Sequence, residues 1–477
     1  METGAWVGLT LTLHYALQIG VMVRALTRPD REPASRVAWV LVILGLPAAG
    51  IALYLMLGEV SPGRRRVARM REVRQALPVA VPGQGATPLP APARAAFGRG
   101  AAVNGFSPVG GNRAELAADS DAAIAGIVAD IDAARESVHI LVYIWLDDRN
   151  GRALMAALAR AASRGVTCRA MVDGLGSRGV LKSAAWAAMT AAGVRTGIAF
   201  DTSWAAARLL LGRIDIRNHR KIFVIDGCIA WCGSQNCADP AFLPKARYAP
   251  WVDIMLRLEG PVAWQMQALF AADWMAQGGD DILGALAVAP AAAPEGFPAL
   301  AVGTGPDLSA NAVPDMVALL LAAAEREVVI STPYFVPTQG LDEALRATAL
   351  RGVSVTLILP ARNDSRMVAW ASRSTYAGLL RAGVAIHEFQ PGLLHAKTLT
   401  VDGGLAMIGS ANLDRRSFEL NFENVMLIAD APTCGLIRER QQVYLVQSRQ
   451  VSGDDVSGWS LPKRLLYNAA GIVSPVL

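Results

Sequence analysis

The stretch NHRKIFVIDG, residues 218–227, recurs later in the chain as LHAKTLTVDG, residues 394–403. Each copy places a histidine and a lysine two residues apart, continues with an apolar run and closes on Asp-Gly. Side chains two apart on a strand project from the same face, and Asp-Gly is a strong signal for a two-residue hairpin. The residues concerned are His219, Lys221 and Asp226 in the first copy and His395, Lys397 and Asp402 in the second. The repeat therefore predicts two equivalent strand-and-turn units, each presenting an imidazole and an ammonium.

Each unit is followed at equal spacing by a small polar sequence, GSQN in the first copy and GSAN in the second. If Asp-Gly forms a two-residue turn, Ser234 faces His219 and Ser410 faces His395 across the hairpin. The asparagines two residues further on, Asn236 and Asn412, share the face of these serines. We expect two polar platforms that face each other and surround one tetrahedral anion.

This combination of side chains suits attack on a phosphodiester. Such a reaction needs a nucleophile and an acid on opposite sides of phosphorus, with fixed cations and amide donors on the non-bridging oxygens. Two imidazoles with pKa values near 6.5 supply a neutral nucleophile and a protonated acid at one pH. Because the two lysines supply the positive charge, no metal and no cofactor is predicted.

A carboxylate on the other ring nitrogen would fix the tautomer of each histidine. Asp253 lies 34 residues after His219, and Glu423 lies 28 residues after His395, each in a strand-like apolar context. We interpret these two carboxylates as the groups that orient the histidines. The aspartates of the two motifs are interpreted as holding the turns rather than carrying protons.

Beyond about residue 104 the chain repeats itself as an α/β fold. Residues 131–145 resemble residues 320–335, and residues 162–173 resemble residues 349–360. In each pair an apolar strand of the kind found in sheets covered on both faces follows a helix. The first half carries extra residues before its motif, within 201–217, which predict either an amphipathic element dipping into the bilayer or a surface helix.

Two apolar stretches precede this body. Ala5–Val23 has 19 residues without a formal charge and Val37–Gly58 has 22, each about the length that crosses a bilayer as a helix. We predict an uncleaved transmembrane hairpin, inside which His14 and Gln18 favour a helix–helix hydrogen bond over a polar functional site. The arginines near the two stretches are Arg24, Arg28, Arg31 and Arg36 between them, and Arg64, Arg65, Arg66, Arg69, Arg71 and Arg74 after the second. Six outweigh four, so the positive-inside rule favours a cytoplasmic body.

The predicted domains follow from these segments. They are a transmembrane hairpin at 1–60, a basic juxtamembrane segment and Pro-rich linker at 61–103, a first half at 104–300 and a second half at 301–477. The five cysteines have no zinc-site spacing and are predicted to be reduced, small apolar residues.

The two HxKxxxxD motifs with GSxN resemble those of the phospholipase D superfamily. Stretches such as STPYFVP and IGSANLDRRSFELNFE are similar to the sequences of bacterial cardiolipin synthases. The resemblance implies two phospholipase D-like α/β/α halves that share one active site and form a phosphohistidine intermediate. It implies transfer of a phosphatidyl group between two phosphatidylglycerol molecules, giving cardiolipin and glycerol. His219 is then the nucleophile and His395 the acid and base, although the symmetry of the sequence does not fix this order.

Other functions share such a site and stay open. They are a hydrolytic phospholipase D, another phosphatidyltransferase of the phosphatidylserine synthase type, a nuclease, and a membrane-tethered lipid-binding scaffold. The apolar stretches and arginines favour an anionic phospholipid over nucleic acid as the partner. We expect a multi-pass protein of the bacterial inner membrane, and the sequence does not indicate its oligomeric state.

Overall fold

The structure is a computed structural model that describes residues 2–28, 33–60, 62–201, 213, 215–309 and 311–473. The predicted amphipathic insert, with Trp204 and the leucines at 209–211, lies almost wholly outside these described residues.

The N-terminal region consists of helices, one of them long. Helix α1 is Glu2–Thr27, and its part Trp6–Thr27 is, in the described chain, the one helix long and apolar enough to cross a membrane. The second predicted span is not one helix: α2 is Pro33–Gly45, α3 is Pro47–Leu53, and a π-helical turn follows. Pro47 accounts for the break, because proline has no N–H to donate and its ring clashes with the preceding helical turn.

The predicted juxtamembrane segment and linker contain two helices that pack on the body. Helix α4, Arg64–Ala76, buries Met70 and Val73 and is tied to the body by an Arg74–Asp307 ion pair of 2.6 Å. Helix α5 is Arg94–Asn104, and its Gly100 lies so close to the second half that a Cβ there would be 2.9 Å from Val302.

The elements of the first half alternate as predicted. The strands are β1 Val109–Leu116, β2 Ser137–Val142, β3 Thr167–Asp173, β4 Arg195–Ala199, β5 Arg217–Asn218, β6 Ile222–Ile225, β7 Ile229–Gly233, β8 Trp251–Val252 and β9 Met255–Glu259. The helices are α6 Ser120–Ala133, α7 Arg149–Ser163, α8 Ala184–Ala191 and α9 Pro261–Ala276.

The second half repeats this order. Its strands are β10 Phe297–Thr304, β11 Glu327–Ser331, β12 Phe335–Val336, β13 Ser354–Pro360, β14 Ala385–Phe389, β15 Leu393–Leu394, β16 Thr398–Val401, β17 Leu405–Gly409, β18 Leu413–Asp414, β19 Asn421–Ala429 and β20 Ser448–Val451. Its helices are α10 Ala312–Ala323, α11 Gln339–Leu350, α12 Arg366–Arg381, α13 Arg415–Glu419, α14 Ala431–Val446, α15 Gly453–Ser457 and α16 Leu461–Val473.

One continuous sheet of 16 strands joins the halves. From the second half to the first, the order is β20-β14-β13-β11-β16-β17-β19-β10-β1-β9-β7-β6-β2-β3-β4, with β5 attached to β19. The antiparallel pair β1–β10 is the seam, and the strands on its two sides correspond one to one from β9 and β19 outwards to β4 and β14. The predicted boundary between residues 300 and 301 therefore falls inside a strand.

Both faces of the sheet are covered, as the continuous apolar strands predict. In β2, Val138 and Ile140 join the cluster under α6 and α7, whereas Leu141 joins the cluster under α9. Successive strand residues alternate between the faces, so helices on opposite sides bury them. The α/β fold of two related halves is confirmed.

Candidate active site

The two histidines lie just before β6 and β16, at the ends of these strands opposite the Asp-Gly turns. His219 and His395 are 8% and 3% exposed, and Lys221 and Lys397 are 0% and 4% exposed. Burial of two lysines in one site is costly unless counter-charges accompany them. The sequence-predicted cations and imidazoles are therefore held in a nearly dry environment.

Each imidazole is bonded to a carboxylate from the opposite half. His219 Nδ1 lies 2.8 Å from Glu423 Oε2, and His395 Nδ1 lies 2.6 Å from Asp253 Oδ1. The sequence pointed to these carboxylates but associated each with the preceding histidine of its own half, and that pairing is wrong. With Nδ1–H donated to the carboxylate, the lone pair of each neutral ring lies on Nε2.

The backbone explains this exchange. Strand β5, just before His219, pairs in parallel with the start of β19, and His219 N donates to Phe422 O at 2.8 Å. In the same way β15 pairs with β8, and His395 N donates to Val252 O at 2.8 Å. Backbone hydrogen bonds thus hold each histidine beside the segment of the other half that carries the carboxylate.

The serines reach the site through the carboxylates. Ser234 Oγ donates to Asp253 Oδ1 at 2.5 Å, and Ser410 Oγ donates to Glu423. They do not face the histidines directly, because Ile225 pairs with Ile229 and three residues, not two, form the loop. The second hairpin has the same loop length, and this one-residue shift in register overturns the predicted Ser–His pairs.

The lysines are fixed by the backbone of the histidines. Lys221 Nζ donates to His219 O at 2.8 Å and Lys397 Nζ donates to His395 O at 2.6 Å. Burial lowers the pKa of Lys221 to about 8 and that of Lys397 to about 7. Both lysines therefore change protonation state close to neutral pH.

Burial also favours neutral imidazoles. It lowers the pKa of His219 to about 4, against the raising effect of Glu423, and the Lys221 charge adds to the lowering. Burial and the charge of Lys397 likewise lower the pKa of His395. Burial alone would raise the pKa of Asp253, but His395 and Lys397 outweigh it and bring the value to about 2. The site at neutral pH combines neutral imidazoles with ionised carboxylates.

The two asparagines border the site differently. Asn236 Oδ1 accepts a bond from Ile144 N at 3.1 Å. Asn412 N and Nδ2 both lie within 3.2 Å of Ser417 Oγ, while its Oδ1 is buried without a hydrogen-bond partner. Since the two ends of an amide are assigned only from their contacts, this open end is the position from which Asn412 can meet a ligand.

The motif aspartates do not reach the site. Asp226 accepts bonds from the backbone N–H groups of Glu136 and Ser137 at 2.8 and 2.9 Å, at the far end of β6. Asp402 does the same for Arg326 and Glu327, both at 2.8 Å. Seven residues of strand correspond to about 20 Å, so these carboxylates hold the turns before β2 and β11, as interpreted from the sequence.

Two aromatic side chains lie beside the histidines, and neither was predicted from the sequence. The Tyr143 ring packs edge-on against His219, with centroids 5.0 Å apart, and the Trp251 ring lies 4.8 Å from that of His395. Trp251 is two residues before Asp253, so strand periodicity gave a signal for its shared face. Tyr143 follows β2 directly. The only sequence signal for its place in the site was its position at the end of a strand that recurs in both halves. These rings cover part of the surface of the two imidazoles.

Comparison with known proteins agrees with this geometry. The model described as "Cardiolipin synthase, PLD-like domain" matches residues 127–274 and 317–442, and a phospholipase D-nuclease N-terminal model matches residues 16–59. The chain is 33% identical to cardiolipin synthase A of Proteus mirabilis, covering 98% of both chains, and 36% identical to that of Citrobacter koseri, covering 91% of both. The crystal structure of a Haemophilus influenzae phosphatidylserine synthase shares the fold, with a TM-score of 0.57 at 14% identity over 86% of this chain and all of the other. With two phospholipase D-like halves and relatives along nearly its whole length, the chain belongs to the cardiolipin synthase family of the phospholipase D superfamily.

Proposed function

We propose that the protein is a cardiolipin synthase that transfers a phosphatidyl group from one phosphatidylglycerol to a second, releasing glycerol. The observation that carries this proposal is the pair of exchanged His–carboxylate contacts, flanked by two buried lysines. Two imidazoles with the same local geometry can serve two successive displacements at one phosphorus.

In the first displacement, His219 Nε2 attacks phosphorus and the bond from phosphorus to the glycerol oxygen breaks. His395, protonated once the phosphate anion is bound, gives its proton to the departing glycerol. Glu423 stabilises the positive charge that develops on His219 while its Nε2 bonds to phosphorus. The product is a phosphatidyl-histidine at His219 and free glycerol.

In the second displacement, a glycerol hydroxyl of another phosphatidylglycerol attacks the same phosphorus. His395, now neutral, takes the proton of that hydroxyl, and the P–N bond to His219 breaks. Lys221 and Lys397 hold the non-bridging oxygens through both steps. The rings of Tyr143 and Trp251 beside the histidines limit the access of water to the intermediate.

The membrane location of the protein follows from its lipid substrate and its long apolar N-terminal helix. We assign the protein to the bacterial inner membrane with the catalytic body at the cytoplasmic surface. The arginines around the apolar segments support this orientation.

The proposed reaction is tested with the purified full-length chain and phosphatidylglycerol labelled in both the acyl chains and the headgroup. We expect cardiolipin and glycerol in equal amounts, unaffected by chelator, and loss of both in His219→Ala and His395→Ala. Phosphatidic acid without cardiolipin would show a hydrolytic phospholipase D instead. Synthesis of phosphatidylserine from a CDP-activated lipid and serine would show the second alternative.

The order of the histidines is tested with a phosphatidyl donor whose nitrophenolate leaving group needs no acid. We expect His395→Ala to accumulate an acid-labile phosphatidyl adduct and His219→Ala to form none. The reverse result would exchange the two roles.

A further inference from the structure

The second apolar segment folds back on itself. Trp39 in α2 packs edge-on against Tyr54, with ring centroids 5.3 Å apart. Gly50 in α3 lies so close to α2 that a Cβ there would clash with Val42 O. Eight residues of straight helix would separate residues 42 and 50 by about 12 Å. Helices α2 and α3 therefore form an antiparallel hairpin around Pro47.

Both ends of this hairpin lie at the same end of α1. Arg24 Nη2 donates to Glu59 Oε2 at 2.8 Å, and Arg28 is 3.8 Å from the same carboxylate. At the entry to α2, Arg36 Nη2 donates to Arg28 O at 2.9 Å. If the second segment crossed the bilayer, residues 24 and 59 would be on opposite faces, about 30 Å apart. The contact between them excludes that arrangement in this structure.

The length of the hairpin fits half a bilayer. From Arg36 to the break at Leu46 the chain rises about 15 Å as a helix, half of the roughly 30 Å hydrocarbon core. Many side chains of the region are apolar and exposed, among them Leu41, Leu44 and Leu46 at 63%, 53% and 54%. A surface of this kind needs lipid to cover it.

One backbone carbonyl near the break between α2 and α3 accepts a hydrogen bond from a side chain of α1. Gln18 of α1 donates from Nε2 to Ile43 O at 2.9 Å, while buried itself. Ile43 lies within the last four residues of α2, whose carbonyls have no helical partner, and lipid offers no donor. The predicted helix–helix hydrogen bond of Gln18 is confirmed, and its acceptor is this otherwise orphaned carbonyl.

We propose that the protein crosses the bilayer once, through α1, and that α2 and α3 form a re-entrant hairpin in the leaflet beside the catalytic body. The nine described arginines near the two apolar stretches then all lie on one side, whereas two full spans would divide them three and six. The hairpin exit is attached to the body, because Arg213 Nη1 donates to Leu57 O at 2.6 Å. The body is thereby held against the anionic head groups of that leaflet.

Paired cysteines in the full-length chain test this arrangement in native membranes. In a Cys228→Ser background, we expect a short bis-maleimide to link Arg24→Cys to Glu59→Cys in most molecules. The matched pair Trp6→Cys and Glu59→Cys, with Trp6 at the other end of α1, should remain unlinked. Linkage of the Trp6 pair, or of neither pair, would overturn the proposal.

Sidedness gives a second measurement that does not depend on cross-linking. An impermeant maleimide should label Thr27→Cys and Glu72→Cys from the same side of sealed vesicles, and an N-terminal epitope tag should be reached only from the other. Labelling of Thr27→Cys and Glu72→Cys from opposite sides would show two full spans. A tag on the same side as Glu72→Cys would likewise contradict a single crossing.

Discussion

At the scale of single residues, each imidazole is hydrogen-bonded to a carboxylate 142 or 204 positions away in the chain. Ser234 and Ser410 in turn donate to these carboxylates and hold their oxygens in place. Each histidine thus ends a hydrogen-bonded chain of three side chains, Ser–Asp–His or Ser–Glu–His, in which the histidine comes from the other half. By these hydrogen bonds the two serines hold the carboxylates in position beside the histidines.

Removing one carboxylate charge should affect one of the two chemical steps. We expect Glu423→Gln to slow adduct formation at His219 by about 10²- to 10⁴-fold, because the developing imidazolium loses its counter-charge. Asp253→Asn should leave adduct formation with the nitrophenyl donor nearly intact and slow its transfer to the second lipid by a similar factor. Rapid-quench measurement of the adduct separates the steps.

This prediction depends on each histidine using the carboxylate of the other half. If each histidine used the carboxylate of its own half, the two variants would show exchanged phenotypes while the His→Ala results stayed as expected. Asn421→Ala is a matched control, because it removes the amide that lies 3.1 Å from Glu423 Oε1 and leaves the charge of Glu423 in place. It should slow adduct formation less than Glu423→Gln does.

The buried lysines predict an alkaline limit to activity. Since burial lowers the pKa of Lys397 to about 7 and that of Lys221 to about 8, both cations are present only below these values. We expect kcat/KM, which reports the free enzyme, to fall as pH rises from about 7 to 9. A flat profile over this range would contradict the assigned role of the lysines.

Protonation of His219 also affects stability. Its folded-state pKa of about 4 is below the ordinary value near 6.5, so the unfolded chain binds the proton first as pH falls. The free energy of unfolding should therefore decrease on acidification between about pH 6.5 and 4. The decrease should be smaller in His219→Ala, measured by thermal unfolding in detergent.

At the scale of elements, the short hairpins β6–β7 and β16–β17 carry different polar groups at their two ends. One end of each hairpin carries the histidine and lysine, and the loop at the other end carries the aspartate. Asp226 and Asp402 have positive φ values of 49° and 51°, which asparagine and aspartate tolerate better than most residues. Their carboxylates then accept from backbone N–H groups that precede the next strand of the sheet.

Substitution of a motif aspartate should reduce stability more than chemistry. We expect Asp226→Ala to lower the free energy of unfolding by about 2 kcal/mol, because N–H groups of residues 135–137 lose a charged acceptor. The rate per folded molecule at low temperature should stay within a few-fold of that of the wild type. A loss comparable to that in His219→Ala, with an unchanged melting temperature, would instead show a chemical role.

At the scale of the whole molecule, the seam β1–β10 makes one rigid sheet from two halves. Arg220 strengthens this union: its Nε donates to Glu423 O at 3.1 Å and its Nη2 to Thr304 O at 3.1 Å, both in the second half. A buried ion pair of 2.9 Å to Asp273 compensates its charge. The site is therefore completed within one chain.

Mixing two inactive variants should not restore activity. His219→Ala and His395→Ala, co-reconstituted at high density in one membrane, each lack an imidazole that a neighbouring chain cannot supply. We expect no cardiolipin above the sum of the separate variants. Recovery of a quarter or more of wild-type activity would show that halves exchange between chains.

The α/β halves, the two histidines and lysines, and the two carboxylates that the histidines contact could all be identified from the sequence alone. These follow from local chemistry and from a repeat whose spacing survives in the chain. The sequence did not determine the partner of each histidine, the three-residue loops or the reversal of the second apolar segment at Pro47. Those depend on contacts between residues distant in sequence: Phe422 beside His219, Val252 beside His395, and Glu59 beside Arg24. Periodicity specifies which face a side chain takes, whereas only the packed sheet and helices specify what lies opposite that face.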